Sequence, residues 1–164
     1  MEATIRKASK DEEAAIMSLY RKAAEKGRAD GSSTWDDEYP NSEILAEDLR
    51  LERLYVLEEE GRLVSAITIE EGEDPEIERL PWTNRKSCFL VRLCVSPERQ
   101  SRGVGEKMMR AVSECARKAG FESTHHLAAT ENVAANRLYG KMGYCNLGSV
   151  HLYGRDYAIY EMIL

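Results

Sequence analysis

The chain has 164 residues, of which 43% are hydrophobic and 32% charged, and we expect it to fold as one soluble domain over residues 1–164. Its net charge of −6 argues against nucleic acid as the main partner, because phosphate binding needs clustered Lys and Arg. We find no apolar run long enough to cross a bilayer and no signal-peptide core at the N-terminus, so we expect a cytoplasmic protein with no membrane partner.

The first part of the chain predicts two helices and three strands. Ser9 and Glu12 form a capping-box pattern that marks the start of the first helix, and Gly27 is its expected end. The pair Glu60-Gly61 separates two strand-like runs and predicts a hairpin turn. The predicted elements are a strand over residues 3–8, a helix over 9–27, a helix starting at 41 or 42, and strands over 54–58 and 63–69.

The middle of the chain combines an acidic loop with an apolar strand. Residues 70–86 predict a loop, and loops of this length usually have a function or are mobile. Residues 88–95 are typical of a buried strand, and a glycine-bearing turn follows at 100–105. An amphipathic helix then runs to Gly120, with apolar residues at helical spacing: Val104, Met108, Val112, Cys115 and Ala119.

The last part predicts a strand, a helix and a closing hairpin. The strand covers residues 124–129, and the helix opens near Asn132 and ends at Gly143. The hairpin strands cover 144–150 and 157–164, with the turn at 154–156. Helices therefore interleave with strands while two connections are hairpins, which predicts a mixed sheet with helices on its faces.

The turn at residues 100–105 has the features of an anion site. It joins a strand to a helix start, where backbone N–H groups lack helical partners and the helix dipole favours negative charge. Gly103 and Gly105 let a phosphate approach backbone that a Cβ would block. Two other phosphate loops match poorly, because Glu106-Lys107 stands where a P-loop needs Lys-Ser or Lys-Thr, and Met108 replaces the third glycine of a dinucleotide fingerprint. The alternative is a tight turn without a ligand.

Two motifs resemble the signatures of the GNAT N-acetyltransferase superfamily. The first is Gln-x-x-Gly-x-Gly at residues 100–105, which is similar to the pyrophosphate loop of that family. The second lies at 132–144 and consists of Asn132, Ala135, Leu138-Tyr139 and Gly143-Tyr144. The resemblance covers residues 88–145. It implies an α/β (mixed α+β) fold whose mixed, mostly antiparallel sheet has six to seven strands, with helices on both faces and two splayed central parallel strands.

The resemblance also implies which residues bind acetyl-CoA, the expected acetyl donor. Pantetheine is expected to enter between the splayed strands and to meet backbone groups of the first one. The implied cofactor-binding residues are Leu93, Cys94, Val95, Gln100, Ser101, Arg102, Gly103, Val104, Gly105, Glu106, Asn132 and Tyr139. Arg99 also flanks the loop, and for both arginines the competing interpretation is a solvated surface charge.

Two side chains of the second motif have an implied role and a structural alternative. Tyr139 stands where the family usually has a Tyr that protonates the coenzyme A sulfur, and a phenol of pKa ~10 suits a thiolate of pKa ~8.5. Its alternative is a half-buried aromatic that packs the helix. Asn132 matches an Asn that contacts pantetheine, and it fits a helix N-cap equally well, so that one side chain could serve both.

The general base and the acceptor pocket are less defined. We expect Glu70 to be catalytic because it ends a strand near the presumed acceptor cleft, with Glu71 and His126 as alternatives. For each of these, an ordinary surface carboxylate or a satisfied histidine competes. The expected substrate-binding residues are aromatics in polar loops, which equally fit local hydrophobic plugs: Trp35, Tyr39 and Trp82.

We therefore expect an acetyl-CoA-dependent N-acetyltransferase that acts on a primary amine of a small molecule or peptide. The alternative is a catalytically silent coenzyme A-binding sensor or interaction module, and longer acyl groups or hydroxyl acceptors stay open. A homodimer is compatible with the resemblance. No metal is expected, because the four cysteines show no Cys-x-x-Cys spacing and the three histidines form no ligand pattern with them.

Overall fold

The computed structural model describes residues 3–31, 35–72 and 74–164, which contain five α-helices and seven β-strands. The helices are α1 (Glu13–Ala29), α2 (Ser42–Arg50), α3 (Pro75–Glu78), α4 (Val104–Lys118) and α5 (Val133–Lys141). The strands are β1 (Ala3–Lys7), β2 (Leu54–Glu59), β3 (Arg62–Glu70), β4 (Ser87–Val95), β5 (Ser123–Ala129), β6 (Cys145–Leu152) and β7 (Arg155–Ile163). Within these described ranges, no helix combines the length and the apolar character needed to span a membrane.

The strands form one sheet in the order β1-β2-β3-β4-β5-β7-β6. Neighbours pair antiparallel in β1–β2, β2–β3, β5–β7 and β6–β7, whereas β4 and β5 are parallel. The parallel register covers the first three residues of each strand, from Ser87↔Ser123 to Phe89↔His125. Along its whole length, Ser123–Ala129, β5 pairs with β7 on its other side. The mixed, mostly antiparallel fold predicted from the sequence is confirmed.

The described residues fall into two compact units. The first comprises Met1–Thr68 and Arg92–Ala111, and the second comprises Ile69–Val91 and Val112–Leu164. The core of the first unit contains Ile16, Leu19, Tyr20, Leu45, Leu49, Leu54, Val56, Ala66 and Cys94. A buried cluster of the second unit contains Leu80, Trp82 and Ile159. The single domain expected from the chain length stays a prediction.

The first helix starts where the sequence predicts and ends later. The Ser9 amide donates to Glu12 Oε1 at 2.9 Å, which closes the capping box of a short 3₁₀ turn before α1. Gly27 lies inside α1, so the expectation that it ends the helix was wrong. A glycine inside a helix costs about 1 kcal/mol relative to alanine, which the rest of the helix outweighs. The capping glycine is Gly31, which has φ 89° and donates to the Arg28 carbonyl at 3.0 Å.

The C-terminus of α5 follows the prediction. Gly143 adopts a left-handed φ of 78° directly after the helix. Its amide donates to the Gly140 carbonyl at 3.1 Å, and the Tyr144 amide donates to the Tyr139 carbonyl at 3.0 Å. These two bonds make a Schellman motif, which explains why a glycine followed by an aromatic residue stands at this point of the sequence.

Two predicted connections differ from the structure. Residues 70–86 were expected to be a loop, but they contain α3, which starts where the Asp74 side chain accepts from the Glu76 amide at 2.9 Å. The turn of the closing hairpin was placed at 154–156, but it lies at Tyr153-Gly154, with φ of 53° and 76°. Asp156 is instead paired with His151 inside the β6–β7 ladder. Two successive left-handed residues suit a two-residue hairpin turn, which the sequence interpretation overlooked.

Candidate functional site

The glycine loop of the first unit is exposed and has an unusual backbone. Ser101 and Gly103 adopt left-handed φ angles of 62° and 81°. The side chains of Ser101 and Arg102 are exposed, as is Gly103. Gln100 anchors the loop, because its Nε2 donates to the Val95 carbonyl at 3.1 Å. One side-chain hydrogen bond from Gln100 therefore fixes the start of the loop to the end of β4, and residues 101–103 are exposed to solvent.

The start of α4 supplies donors for an anion. The Gly103 carbonyl accepts the first helical hydrogen bond, from the Lys107 amide at 3.0 Å. The amides of Val104 and Gly105 lie before this first bond, so the helix itself offers them no carbonyl to donate to. They point out of the helix start, where the dipole is positive. A Cβ at Gly103 would meet no heavy atom within 4 Å, so the space beside it is open. Room and donors together fit a phosphate group.

The charged side chains around the loop differ in their partners. Arg99 Nε lies 3.1 Å from Glu59 Oε2, in an ion pair that occupies this guanidinium. Glu106 Oε2 lies 3.1 Å from Arg110 Nε, so Glu106 adds a surface ion pair on α4. Arg102 is exposed on the loop itself. Of the two arginines predicted to flank the loop, Arg102 is the one whose position suits a phosphate.

The backbone of β4 before the loop is held by side chains. Ser65 Oγ donates to the Cys94 carbonyl at 2.7 Å, and the Val95 carbonyl accepts from Gln100. Cys94 is only 4% exposed, whereas Leu93 and Val95 are half-buried. Burial raises the pKa of the Cys94 thiol to about 12, so this cysteine is an inert core thiol. The predicted contribution of these three residues to cofactor binding therefore rests on their backbone.

A buried charged pair on the same strand was missed by the sequence analysis. Arg92 has a left-handed φ of 52° inside β4. Its Nε donates to Asp48 Oδ2 and its Nη2 to Asp48 Oδ1, both at 2.8 Å. Asp48 is fully buried, and Arg92 is only 8% exposed at the side chain. The available signal was a single arginine in the apolar run at 88–95, which the sequence interpretation treated as part of a plain buried strand.

In the second unit, the asparagines of the second motif stabilise the start of α5. Asn132 Oδ1 accepts from the Ala135 amide at 3.1 Å, so the predicted N-cap role is confirmed. Asn136 Nδ2 donates to the carbonyls of Ala129 and Asn132, at 2.9 and 2.8 Å. Asn136 Oδ1 also accepts from the Tyr160 hydroxyl at 2.7 Å. Asn136 thus links α5 to β5 and β7, a role that the motif alone did not indicate.

Tyr139 lies in an aromatic cluster of the second unit. Its ring stacks on Tyr144 with a centroid distance of 5.3 Å and an interplanar angle of 4°. The rings of His126 and Tyr160 each lie 5.1 Å away. Burial raises the pKa of Tyr139, and the neighbouring Tyr144 and Tyr160 raise it further. The phenol therefore carries its proton at neutral pH, as an acid must, but the same shift makes it a weaker acid.

His126 does not fit the alternative role of general base. Its side chain is 1% exposed, and its Nε2 lies 3.0 Å from Thr124 Oγ1. Burial, followed by the neighbouring His125, lowers the pKa of His126 to about 3. An imidazole with this pKa accepts a proton poorly at neutral pH. Glu70, the predicted catalytic carboxylate, is half-buried at the end of β3.

The three aromatics predicted to bind substrate have different surroundings. In the first unit, Trp35 packs edge-on against Tyr20 at 5.4 Å and joins the core, whereas Tyr39 is 39% exposed. In the second unit, Trp82 is only 7% exposed, so it is not the exposed loop aromatic expected from the sequence. Its ring stacks on His125 at 3.8 Å, and its Nε1 donates to the Ile77 carbonyl at 2.9 Å. This packing favours the plug interpretation for Trp82.

A second buried polar cluster, also missed from the sequence, lies behind Trp82. His125 Nε2 lies 2.9 Å from both Glu161 Oε2 and the Asn84 carbonyl. Burial lowers the pKa of His125, against the opposing effects of Asn84 and Glu161. Burial also opposes the charge of Glu161, but donors from Thr83 and Asn84 outweigh it and lower the pKa of that carboxyl. The cluster ties residues 82–84 to β5 and β7.

Over residues 3–31, 35–72 and 74–164, no group of three His, Cys, Asp or Glu side chains is arranged to hold a metal ion.

Comparisons with known proteins place the fold and the two motifs in context. A comparison with curated proteins gives no match. The chain is similar to a GNAT-family acetyltransferase from Streptococcus agalactiae, with a TM-score of 0.85 and 22% identity over 99% of this chain and 95% of that one.

Two further similar structures contain a ligand. The PaiA N-acetyltransferase of Thermoplasma acidophilum, in complex with coenzyme A, has a TM-score of 0.77 and 16% identity over 100% of both chains. The yncA protein of Salmonella typhimurium, solved with its cofactor acetyl-CoA, has a TM-score of 0.76 and 19% identity over 100% of this chain and 95% of that one. The Acetyltransferase (GNAT) family matches residues 14–144, which is more than half of the chain, and the protein therefore belongs to the GNAT acetyltransferase family.

Proposed function

We propose that the protein is an acetyl-CoA-dependent N-acetyltransferase that acts on a primary amine. Membership of the GNAT acetyltransferase family supports an acyltransferase, and two similar structures contain coenzyme A or acetyl-CoA. The observation that carries the proposal is the start of α4, where the open side of Gly103 and the amides of Val104 and Gly105 suit a pyrophosphate.

Three groups of residues would hold the donor. The loop and first turn of α4 would bind the pyrophosphate through Gln100, Ser101, Arg102, Gly103, Val104, Gly105 and Glu106. Backbone groups of Leu93, Cys94 and Val95 would meet pantetheine, since a carbonyl that accepts one hydrogen bond keeps a second lone pair. Asn132 would contact pantetheine as well as cap α5, and Tyr139 would face the sulfur.

When bound, acetyl-CoA would supply an activated acetyl group, and a carbon–nitrogen bond to the amine would replace the carbon–sulfur bond of the thioester. Tyr139 would donate its phenolic proton to the departing sulfur, and its raised pKa keeps that proton in place at neutral pH. Glu70, directly or through water, removes the proton that the amine loses. Backbone N–H groups of β4 stabilise the charge that develops on the thioester oxygen.

The acceptor is proposed to be a small-molecule or peptide amine. Tyr39 is the predicted substrate residue with the greatest exposure, and we expect it to contribute most. Trp35 and Trp82 are more buried, and we expect a smaller contribution from each. All four cysteines are described and all are free thiols, which suits a reducing cytoplasm. Neither nucleic acid nor a membrane is proposed as a partner, and a homodimer is part of the proposal.

A thiol-release assay tests the proposal and its alternative. Acetyl-CoA is incubated with the protein and a panel of amines that includes polyamines, amino acids, aminoglycosides and peptides, and free coenzyme A is measured. Amine-dependent release supports the acetyltransferase. Tight binding of acetyl-CoA without release, for every amine, would instead support the coenzyme A sensor, and absence of binding would contradict both.

A further inference from the structure

Arg92 adopts a backbone conformation that its side chain does not favour. Its φ of 52° lies in the left-handed region, where a Cβ crowds the following carbonyl. It occurs inside β4, directly before Leu93, Cys94 and Val95. Such a conformation persists only where surrounding contacts determine it, and it is commonly found at functional sites.

The side chain of Arg92 is held by Asp48, which lies on α2. The two groups form a bidentate pair with both distances at 2.8 Å. Asp48 also accepts from Thr68 Oγ1 at 3.1 Å and from Arg53 Nε at 2.9 Å, so its fully buried carboxylate receives donors from β3, from β4 and from the connection between α2 and β2. Burial is the largest single effect and opposes the charge of Arg92, but the hydrogen bonds and charge of Asp48, together with the Tyr39 hydroxyl, outweigh it and raise the pKa of the guanidinium.

This arrangement is an inefficient way to gain stability. Removing two charges from water costs free energy that their attraction often only repays, so an apolar pair would stabilise a core equally well. A bidentate pair does, however, fix the position and angle of both groups. Here the pair holds one end of a short backbone segment. Ser65 and Gln100 hold the other end by donating hydrogen bonds to the carbonyls of Cys94 and Val95.

We propose that the Asp48–Arg92 pair is a positioning device that fixes the left-handed turn at Arg92 and so aims the backbone of residues 93–95 at the acetyl-CoA thioester. The inference rests on the proposed function. Neither side chain touches the donor; both act through the backbone that follows Arg92. Rotation about φ at this residue changes the direction of every N–H and C=O group from Leu93 onward, and a small misalignment at a reacting centre costs much of the rate.

Two substitutions at one position separate backbone conformation from the charge pair. Arg92→Ala and Arg92→Gly both remove the guanidinium and leave Asp48 without it. Glycine adopts φ near 52° without steric strain, whereas alanine does not. We expect Arg92→Ala to lose about 10-fold or more in kcat/KM for acetyl-CoA, and Arg92→Gly to retain about 5-fold more than Arg92→Ala. Equal kcat/KM for the two variants, or a lower value for glycine, would overturn the inference.

Amide chemical shifts of residues 93–95 in the ligand-free protein give a readout besides activity. They should stay close to wild type in Arg92→Gly and move in Arg92→Ala. A merely structural role predicts the same shifts at residues 93–95 in both variants, with only the melting temperature lower in Arg92→Ala because of backbone strain. If Arg92→Ala does not fold, Asp48→Asn takes its place, and native shifts at 93–95 in that variant would refute the positioning role. Wild-type protein that releases no thiol would contradict the proposed function, while the amide shifts still decide the inference.

Discussion

The two sequence signatures of this chain lie in regions that are built differently. The glycine loop of the first unit exposes Ser101, Arg102 and Gly103, and its donors are backbone amides at the start of α4. The second signature, in the second unit, consists of side chains that the fold itself uses. Asn132 caps α5, and Tyr139 is 8% exposed within an aromatic cluster. Substitutions in the loop should therefore change binding, whereas substitutions that remove the cap or a buried ring in the second unit should change stability and function together.

The largest expected effect is on stability and concerns the aromatics predicted to bind substrate. Trp82→Ala should lower the free energy of unfolding by about 3 kcal/mol or more, because it removes a buried ring stacked on His125. Tyr39→Ala, at an exposed ring, should change it by about 0.5 kcal/mol or less. Denaturant unfolding of both variants measures this difference.

The same two variants separate packing from acceptor binding. Tyr39→Ala should raise the acceptor KM and leave coenzyme A affinity within about twofold. It removes a long 3.4 Å hydrogen bond from Arg92 Nη1, but the bidentate Asp48–Arg92 pair remains. If Trp82→Ala folded with unchanged stability and raised the acceptor KM by itself, Trp82 would be a substrate residue and not a plug.

The next largest effect concerns Tyr139. Tyr139→Phe keeps the stacked ring and removes the proton, so kcat should fall roughly 100-fold while acetyl-CoA affinity and melting temperature barely change. A loss of a few-fold would mean that water replaces the phenol, which the raised pKa of this buried group makes a real competitor. Lower melting temperature with intact turnover would show that Tyr139 has only a packing role.

A smaller effect is expected for the glycine loop. Gly103→Val should weaken acetyl-CoA binding by about 10-fold or more, because a branched side chain fills the space open to a phosphate. The change also strains the backbone, since φ is 81°. Gly61→Val is a matched control, because Gly61 has φ 78° and open space but lies in the β2–β3 turn. If calorimetry shows the same affinity loss for both variants, strain and not ligand contact explains it.

The smallest effect separates the two roles of Asn132. Asn132→Ala should cost about 1 kcal/mol of stability through loss of the N-cap. Asn41→Ala should cost a similar amount, because Asn41 Oδ1 caps α2 by accepting from the Ile44 amide at 2.9 Å. Only Asn132→Ala should also weaken coenzyme A binding. Equal coenzyme A affinity in both variants would leave Asn132 as a helix cap alone.

The parts of the structure that were predictable from sequence depend on local patterns. The apolar run before the glycine turn, the spacing of Val104, Met108 and Val112, and the glycine after α5 each determine an element within a few residues. The Arg92–Asp48 pair was not predictable, because its partners are 44 residues apart. The burial of Trp82 was also missed, because the sequence around it does not reveal that its ring stacks on His125 of β5, a strand much further along the chain.

Titration of the protein with acetyl-CoA, followed by amide resonances, tests the central claim most directly. The amides of Gly103, Val104 and Gly105 should show the largest changes, because the proposed pyrophosphate contacts are made by backbone groups at the start of α4. Saturable changes centred on this loop would support the account. Binding that leaves the amides of residues 103–105 unchanged, or no binding at all, would contradict it.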